Sequence, residues 1–192
     1  MPERNDAALD FMLNRRSRPA KTLGAPVPGR EELTRLLTAA ARVPDHGMLV
    51  PWRFVVLERP ALQRLGRLAA ERAAAEGLEA ERVEKAAQPY RDGNLAVAVV
   101  CVPRPTEKIP AFEQLLSAGA ACLSLVNAAL ASGWGASWIT GWAAYDQGFC
   151  REGLGLAPGE RVAGMVHIGT EKVAPADRPR PEIAAITTWM AE

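Results

Sequence analysis

Leu95 to Val102, reading Leu-Ala-Val-Ala-Val-Val-Cys-Val, is an unbroken apolar run. A stretch this short and this uniformly apolar is the pattern of a strand over 94–102, and its continuous apolarity places it at the centre of a sheet. The remaining elements must cover it. Leu33, Leu36, Leu37 and Ala40 recur at helical spacing between Pro28 and Ala41, with Glu31 and Glu32 favourably placed in the first turn. A short strand is expected over Arg53–Glu58, closed by Pro60, and a long Ala- and Glu-rich helical region over 61–87, interrupted at Gly77. A helix from Pro110 to Ser132, strands over 134–139 and 161–169 and a short helix over 145–153 complete the reading, after an opening helix over 6–14 with Leu9, Met12 and Leu13 on one side. Helices come first and the two types then mix without a regular βαβ repeat, which favours an α+β fold over a doubly wound sheet.

With 192 residues, 48% of them hydrophobic, one domain over 1–192 is expected, and no repeat or interdomain linker interrupts it. A net charge of +1 supplies no overall field for nucleic acid or an anionic membrane, so any anion binding must be local. The five tryptophans are not interleaved with a basic stripe. Cys101, Cys122 and Cys150 lie far apart in apolar or helical surroundings, which excludes a zinc-ligand spacing and favours buried thiols in a reducing, cytoplasmic setting. No secretory signal is expected at the N-terminus. The apolar stretch 111–132 carries Glu113, Gln114 and Asn127 and reads as a buried core helix, not a membrane span. Beyond Gly169 the chain is punctuated by Pro175, Pro179 and Pro181 and carries Trp189 near its end. Such an arm cannot bury itself, and the aromatic favours docking on another surface.

Two polar clusters carry the chemistry. Asn14-Arg15-Arg16-Ser17-Arg18 follows the opening helix, and Arg42 and His46 lie in the loop Ala41-Arg42-Val43-Pro44-Asp45-His46 that leads to Pro51-Trp52-Arg53-Phe54. Arginine offers a fixed fork of donors that matches phosphate oxygens. Taken alone, such a pair is more often solvated surface charge, and the C-terminal end of a helix is the wrong pole for an anion, so binding there must come from side chains. His167 lies inside the last strand, where a packing or edge role is expected. No nucleophile elbow, P-loop or dinucleotide fingerprint is present.

These clusters, with Gly133-Trp134-Gly135-Ala136-Ser137-Trp138-Ile139-Thr140-Gly141 and Val166-His167-Ile168-Gly169-Thr170, resemble the nitroreductase family of FMN-dependent oxidoreductases, in particular its small single-domain branch. The resemblance spans nearly the whole chain. It implies a central mixed, mainly antiparallel sheet flanked by helices, with an extended C-terminal arm, in a homodimer with the flavin at the subunit interface. It also implies that Arg15, Arg16 and Ser17 bind FMN, that Arg42 and His46 contact it, and that Trp138, Ile139 and Thr140 form a further flavin segment. Arg180, before Pro181-Glu182, is similar to a basic residue that meets the phosphate. Residues 128–133 match a stretch that contacts the nicotinamide cofactor in that branch, although by composition they are an ordinary buried helix end.

Two departures stand out. Ile139 occupies a position that is usually basic, and Val50 one that often holds Gln before Pro-Trp. The activity implied is reduction of nitroaromatics, quinones or similar electron-poor small molecules by NAD(P)H through the flavin in a ping-pong order, with no side chain acting as nucleophile or obligatory acid. The departures keep open a protein that binds or senses FMN without turnover. A flavin-free interaction protein, its arginines mere surface charge, is a third reading.

Overall fold

The computed structural model describes residues 3–191. Helix α1 spans Asp6–Asn14, α2 Arg30–Ala40, α3 Arg59–Ala75, α4 Ala80–Asp92, α5 Ala111–Ala131 and α6 Trp142–Tyr145; the strands are β1 Leu23–Gly24, β2 Trp52–Glu58, β3 Leu95–Cys101, β4 Gly135–Ile139 and β5 Arg161–Glu171. Across the sheet the order is β2, β3, β5, and the far side of β5 is shared end to end by β4, which pairs with 165–169, and β1, which pairs with Thr170 and Glu171. Every one of these pairings is antiparallel, so the mixed sheet expected from the resemblance is, among the described residues, purely antiparallel.

The apolar run forms β3 over Leu95–Cys101, paired on both sides and buried at every position. Because side chains alternate across a strand, Leu95, Val97, Val99 and Cys101 face α2 and α5, packing with Leu33, Leu36, Ala118, Cys122, Leu125 and Val166. Ala96, Ala98 and Val100 face the other way, against Leu62 and Leu65 of α3, Tyr90 of α4, Phe149 and Met165. Two apolar layers therefore share one sheet. α5 is the helix among the described residues long and apolar enough to cross a membrane, but its Ala118, Ala121, Cys122, Leu125, Val126 and Ala129 are buried against the sheet.

Several boundaries differ from the sequence reading for identifiable reasons. β5, expected over 161–169, runs on to Glu171 because β1 pairs with its end, and it lies in the interior of the sheet. α4 continues past Pro89 to Asp92, since Tyr90 in its last turn is buried and its ring centroid lies 5.1 Å from that of Phe149. The helix expected over 145–153 is two pieces, α6 and a π-helical turn over Phe149–Gly153. Asp146 divides them, its carboxylate accepting from Phe149 N–H at 2.6 Å and from the Arg72 guanidinium. His167 is 2% exposed, a core residue and not an edge one. The three cysteines are free and buried. Burial pushes the Cys150 thiol up to about 11 and that of Cys122 up to about 12, so neither is a ready nucleophile.

Candidate functional site

The first arginine cluster is fixed where β4, β5 and β1 meet. α1 ends with the Arg15 N–H on the Phe11 carbonyl at 2.8 Å. The chain is then stitched to β4 by Arg18 N–H on the Ala136 carbonyl at 2.8 Å, and to β5 by Arg18 Nε on Glu171 Oε2 at 2.9 Å. Between these anchors Arg15 Nη2 donates to Ser17 Oγ at 3.1 Å, and Arg16 Nη1 to the Ser17 carbonyl at 3.2 Å. Arg180 arrives from the arm and donates to the Arg15 carbonyl at 3.5 Å.

Four guanidiniums thus gather in one place. Glu171 answers Arg18, and Asp177, itself highly exposed, lies 3.4 Å from Arg180. Arg15 and Arg16 have no carboxylate partner among the described residues, and the buried Nε of each is unpartnered, as is Glu171 Oε1. Burial, then the charges of Arg180, Arg16 and Arg18, pull the Arg15 pKa below its ordinary value. Buried donors without acceptors and like charges held together are costly unless an anion completes them. The donors are forks of N–H groups, the geometry that phosphate oxygens accept.

Arg42 and His46 lie elsewhere on the chain. Their loop, between α2 and β2, is built on the N-terminal half of α5: Ser117 Oγ donates to the Pro44 carbonyl at 2.6 Å, and His46 Nδ1 meets Glu113 Oε2 at 2.8 Å. Asp45 spends its carboxylate on Leu49 N–H at 3.1 Å and Val50 N–H at 2.8 Å. The loop is strained, with Met48 at φ 52° and Val50 at φ 47°, and left-handed backbone at a β-branched residue is a rare conformation that clusters at functional sites. Arg42 and His46 are both exposed, and Arg42 makes no ion pair among the described residues.

The third segment stands between these two. Trp138, 41% exposed, packs its indole over Gly164 of β5 and reaches toward Gly119 of α5. Ile139 turns its side chain into the second core layer, beside Met165 and Tyr90, so its surroundings are apolar where a basic residue would have to reach solvent. Thr140 is exposed and its Oγ1 accepts from Tyr145 at 3.3 Å. The distance between the two clusters follows α5: Arg18 packs beside Gly135, just past the end of that helix, whereas His46 binds Glu113 in its first turn. At 1.5 Å per residue, residues 113–131 span about 27 Å. Arg15, Arg16, Ser17 and Arg180 come together within the single chain; Arg42 and His46 do not join them.

Sequence reasoning missed Glu113, Asp45, Tyr145 and Glu171. Asp45 alone carried a local signal, since an aspartate in a loop commonly captures backbone N–H groups a few residues on.

Helices on both faces of an antiparallel sheet, with unanswered arginines at one end of it, define a layered α+β protein suited to a phosphate-bearing ligand. The chain belongs to the nitroreductase family, whose model matches residues 13–170, and this places it among the oxidoreductases. It is 34% identical over 167 residues to YdjA of Escherichia coli (strain K12), covering 86% of this chain and 89% of that one; the name of that protein assigns it provisionally to the NAD(P)H nitroreductases. Among solved structures, a nitroreductase-like family protein from Bacillus cereus matches with a TM-score of 0.79 at 23% identity over 100% of both chains. A nitroreductase with bound FMN from Bacteroides fragilis NCTC 9343 matches with a TM-score of 0.75 at 18% identity, over 97% of this chain and 100% of the other.

Proposed function

We infer that this chain is a single-domain FMN-dependent oxidoreductase that uses NAD(P)H to reduce electron-poor small molecules such as nitroaromatics or quinones. The carrying observation is the arginine cluster with its buried, unanswered Nε groups at Arg15 and Arg16, which fits the phosphate of FMN. Arg15, Arg16, Ser17 and Arg180 would hold that phosphate, and Arg42, His46, Trp138, Thr140 and the backbone of Ile139 would bound the rest of the cofactor. When bound, FMN supplies a ring that accepts a hydride from NAD(P)H and gives electrons to the acceptor, the two substrates alternating in ping-pong order. The protein's residues orient and stabilise charge; none is required as a nucleophile.

The same reading calls for a homodimer. One flavin cannot bridge clusters about 27 Å apart along α5, so a second copy would bring its Arg42 and His46 to the arginines of the first. Phe112, Leu116 and Leu123 form an exposed apolar stripe on α5, and Leu9, Met12 and Leu13 on α1 and Ile183, Ile186 and Trp189 on the arm are exposed as well, surface that a symmetric partner would cover. Three free, buried cysteines fit a cytoplasmic setting.

The test is an anaerobic absorption spectrum of the purified protein before and after NADH or NADPH, with light scattering for mass. A dimer whose flavin bleaches and recovers on adding a nitroaromatic or quinone supports the reading. A flavin that stays oxidised favours the FMN-binding protein without turnover, for which Val50 and Ile139 are the motivating departures. A colourless protein that takes up no FMN overturns both.

A further inference from the structure

Glu113 and Ser117 lie one turn apart on the same face of α5, and both hold the loop that carries His46. Ser117 fixes its backbone through the Pro44 carbonyl, at 2.6 Å. Glu113 fixes the ring, with Oε2 2.8 Å from His46 Nδ1. Asp45, the neighbouring carboxylate, is committed to the backbone amides of Leu49 and Val50, so it is not available to do the same. An ionised carboxylate only accepts hydrogen bonds, which assigns the proton to Nδ1. In the neutral imidazole the other nitrogen, Nε2, is then a free acceptor.

We propose that Glu113 is a positioning residue: it fixes the ring and the tautomer of His46 so that Nε2 is the nitrogen offered to the cofactor. This rests on the reading that His46 faces FMN. An imidazole held this way presents an acceptor to a ring N–H of the ligand, and the ring is pinned at one edge before the ligand arrives, which reduces what binding must order. The arrangement parallels metal-site histidines, whose free nitrogen is set by the hydrogen bond at the other.

The experiment has two arms. In the first, FMN is titrated into the apo forms of the wild type, Glu113→Ala, Glu113→Gln, His46→Ala and the double variant Glu113→Ala/His46→Ala. Glu113→Ala and His46→Ala are each expected to weaken binding about tenfold, the scale of one charge-assisted hydrogen bond. The double variant binds no more weakly than either single one, and Glu113→Gln, which keeps a carbonyl acceptor, retains most of the affinity. Additive losses, or wild-type affinity in Glu113→Ala, overturn the proposal. In the second arm, nitrogen NMR of the apo protein reads the two histidines of the chain. His46 should carry its proton on Nδ1 in the wild type and lose that preference in Glu113→Ala; an unchanged tautomer overturns the proposal without any flavin. Failure of the wild type to bind FMN would instead sink the cofactor reading and leave the second arm standing.

Discussion

Arg180 reaches back across 165 residues to place Nη2 3.5 Å from the carbonyl of Arg15, and its charge helps pull the Arg15 pKa down. Beyond Lys172 it is the one hydrogen bond from the arm to the rest of the chain among the described residues. The arm is thus held by a contact that sets like charges side by side. Chains keep such local conflicts at functional sites, where the ligand and not the fold is served.

Replacing Arg180 by Ala should therefore act in opposite directions on binding and stability. FMN affinity is expected to fall about tenfold, the worth of a charge-assisted phosphate contact, and to depend less steeply on salt. The melting temperature of the apo protein is expected to rise, because one like charge beside Arg15 is gone. Titration at two salt concentrations and a melt of the apo form check both. A lower melting temperature with unchanged affinity would make Arg180 a structural residue.

Val50 pays for its place in the His46 loop with a φ of 47° while half its surface is exposed. Asparagine tolerates left-handed backbone, which costs other residues roughly 1–2 kcal/mol. Val50→Asn should stabilise the apo protein by about 1 kcal/mol in urea unfolding, and no core contact is lost to offset it. Destabilisation would mean that the Val50 side chain packs against something its exposure does not reveal.

What could be read in the sequence was whatever acts locally. The uninterrupted apolarity of 95–102 made β3 central, and the spacing of Leu33, Leu36 and Ala40 made α2 a helix facing it. β1 was illegible because two residues, Leu23 and Gly24, carry no pattern; they form a strand only because Thr170 and Glu171 lie beside them. The extension of α4 past Pro89 depended on the packing of Tyr90 against Phe149, a partner 59 residues away in the chain. The same division runs through the site. The contiguous Arg15, Arg16 and Ser17 were visible as a motif, and Arg180 only through resemblance. Glu113 was visible only as a charge that argues against a membrane span, since nothing near it in sequence marks the ring of His46, 67 residues earlier.

His167 gives the protein an acid sensitivity of calculable sign. Burial lowers its pKa from 6.5 to about 4, and its Nε2 has no partner among the described residues. Below pH 6.5 the unfolded chain takes up a proton that the folded chain refuses, so the contribution is complete above 6.5 and is lost progressively as the pH falls to about 4. At about 1.4 kcal/mol per unit of pH, the loss between 6.5 and 5 is roughly 2 kcal/mol. Urea unfolding at pH 7, 6 and 5 should show this loss in the wild type and a flatter profile in His167→Leu. Parallel profiles would mean that the ring is hydrated or protonated in the folded state.

Gly164 offers a way to move Trp138 without touching it. A Cβ on Gly164 would run into the Nε1, Cδ1 and Cε2 atoms of the indole, so the ring lies flat on β5 only because this position has no side chain. With 41% of Trp138 exposed, the ring has room to swing outward, and the sheet need not open: Val166, its cross-strand neighbour, stays fully buried beneath α5. Gly164→Ala is therefore expected to keep the fold, as judged by circular dichroism. It should displace the indole, changing the tryptophan emission of the apo protein, and weaken FMN binding if Trp138 bounds the flavin. The contrast with Gly66→Ala is the control. There the added Cβ meets the backbone nitrogen of Arg91 at 2.9 Å, which cannot swing aside, so the α3–α4 packing is strained by about 1–3 kcal/mol while the emission of Trp138 is unmoved. If the two variants behave alike, Trp138 is held by more than the glycine beneath it.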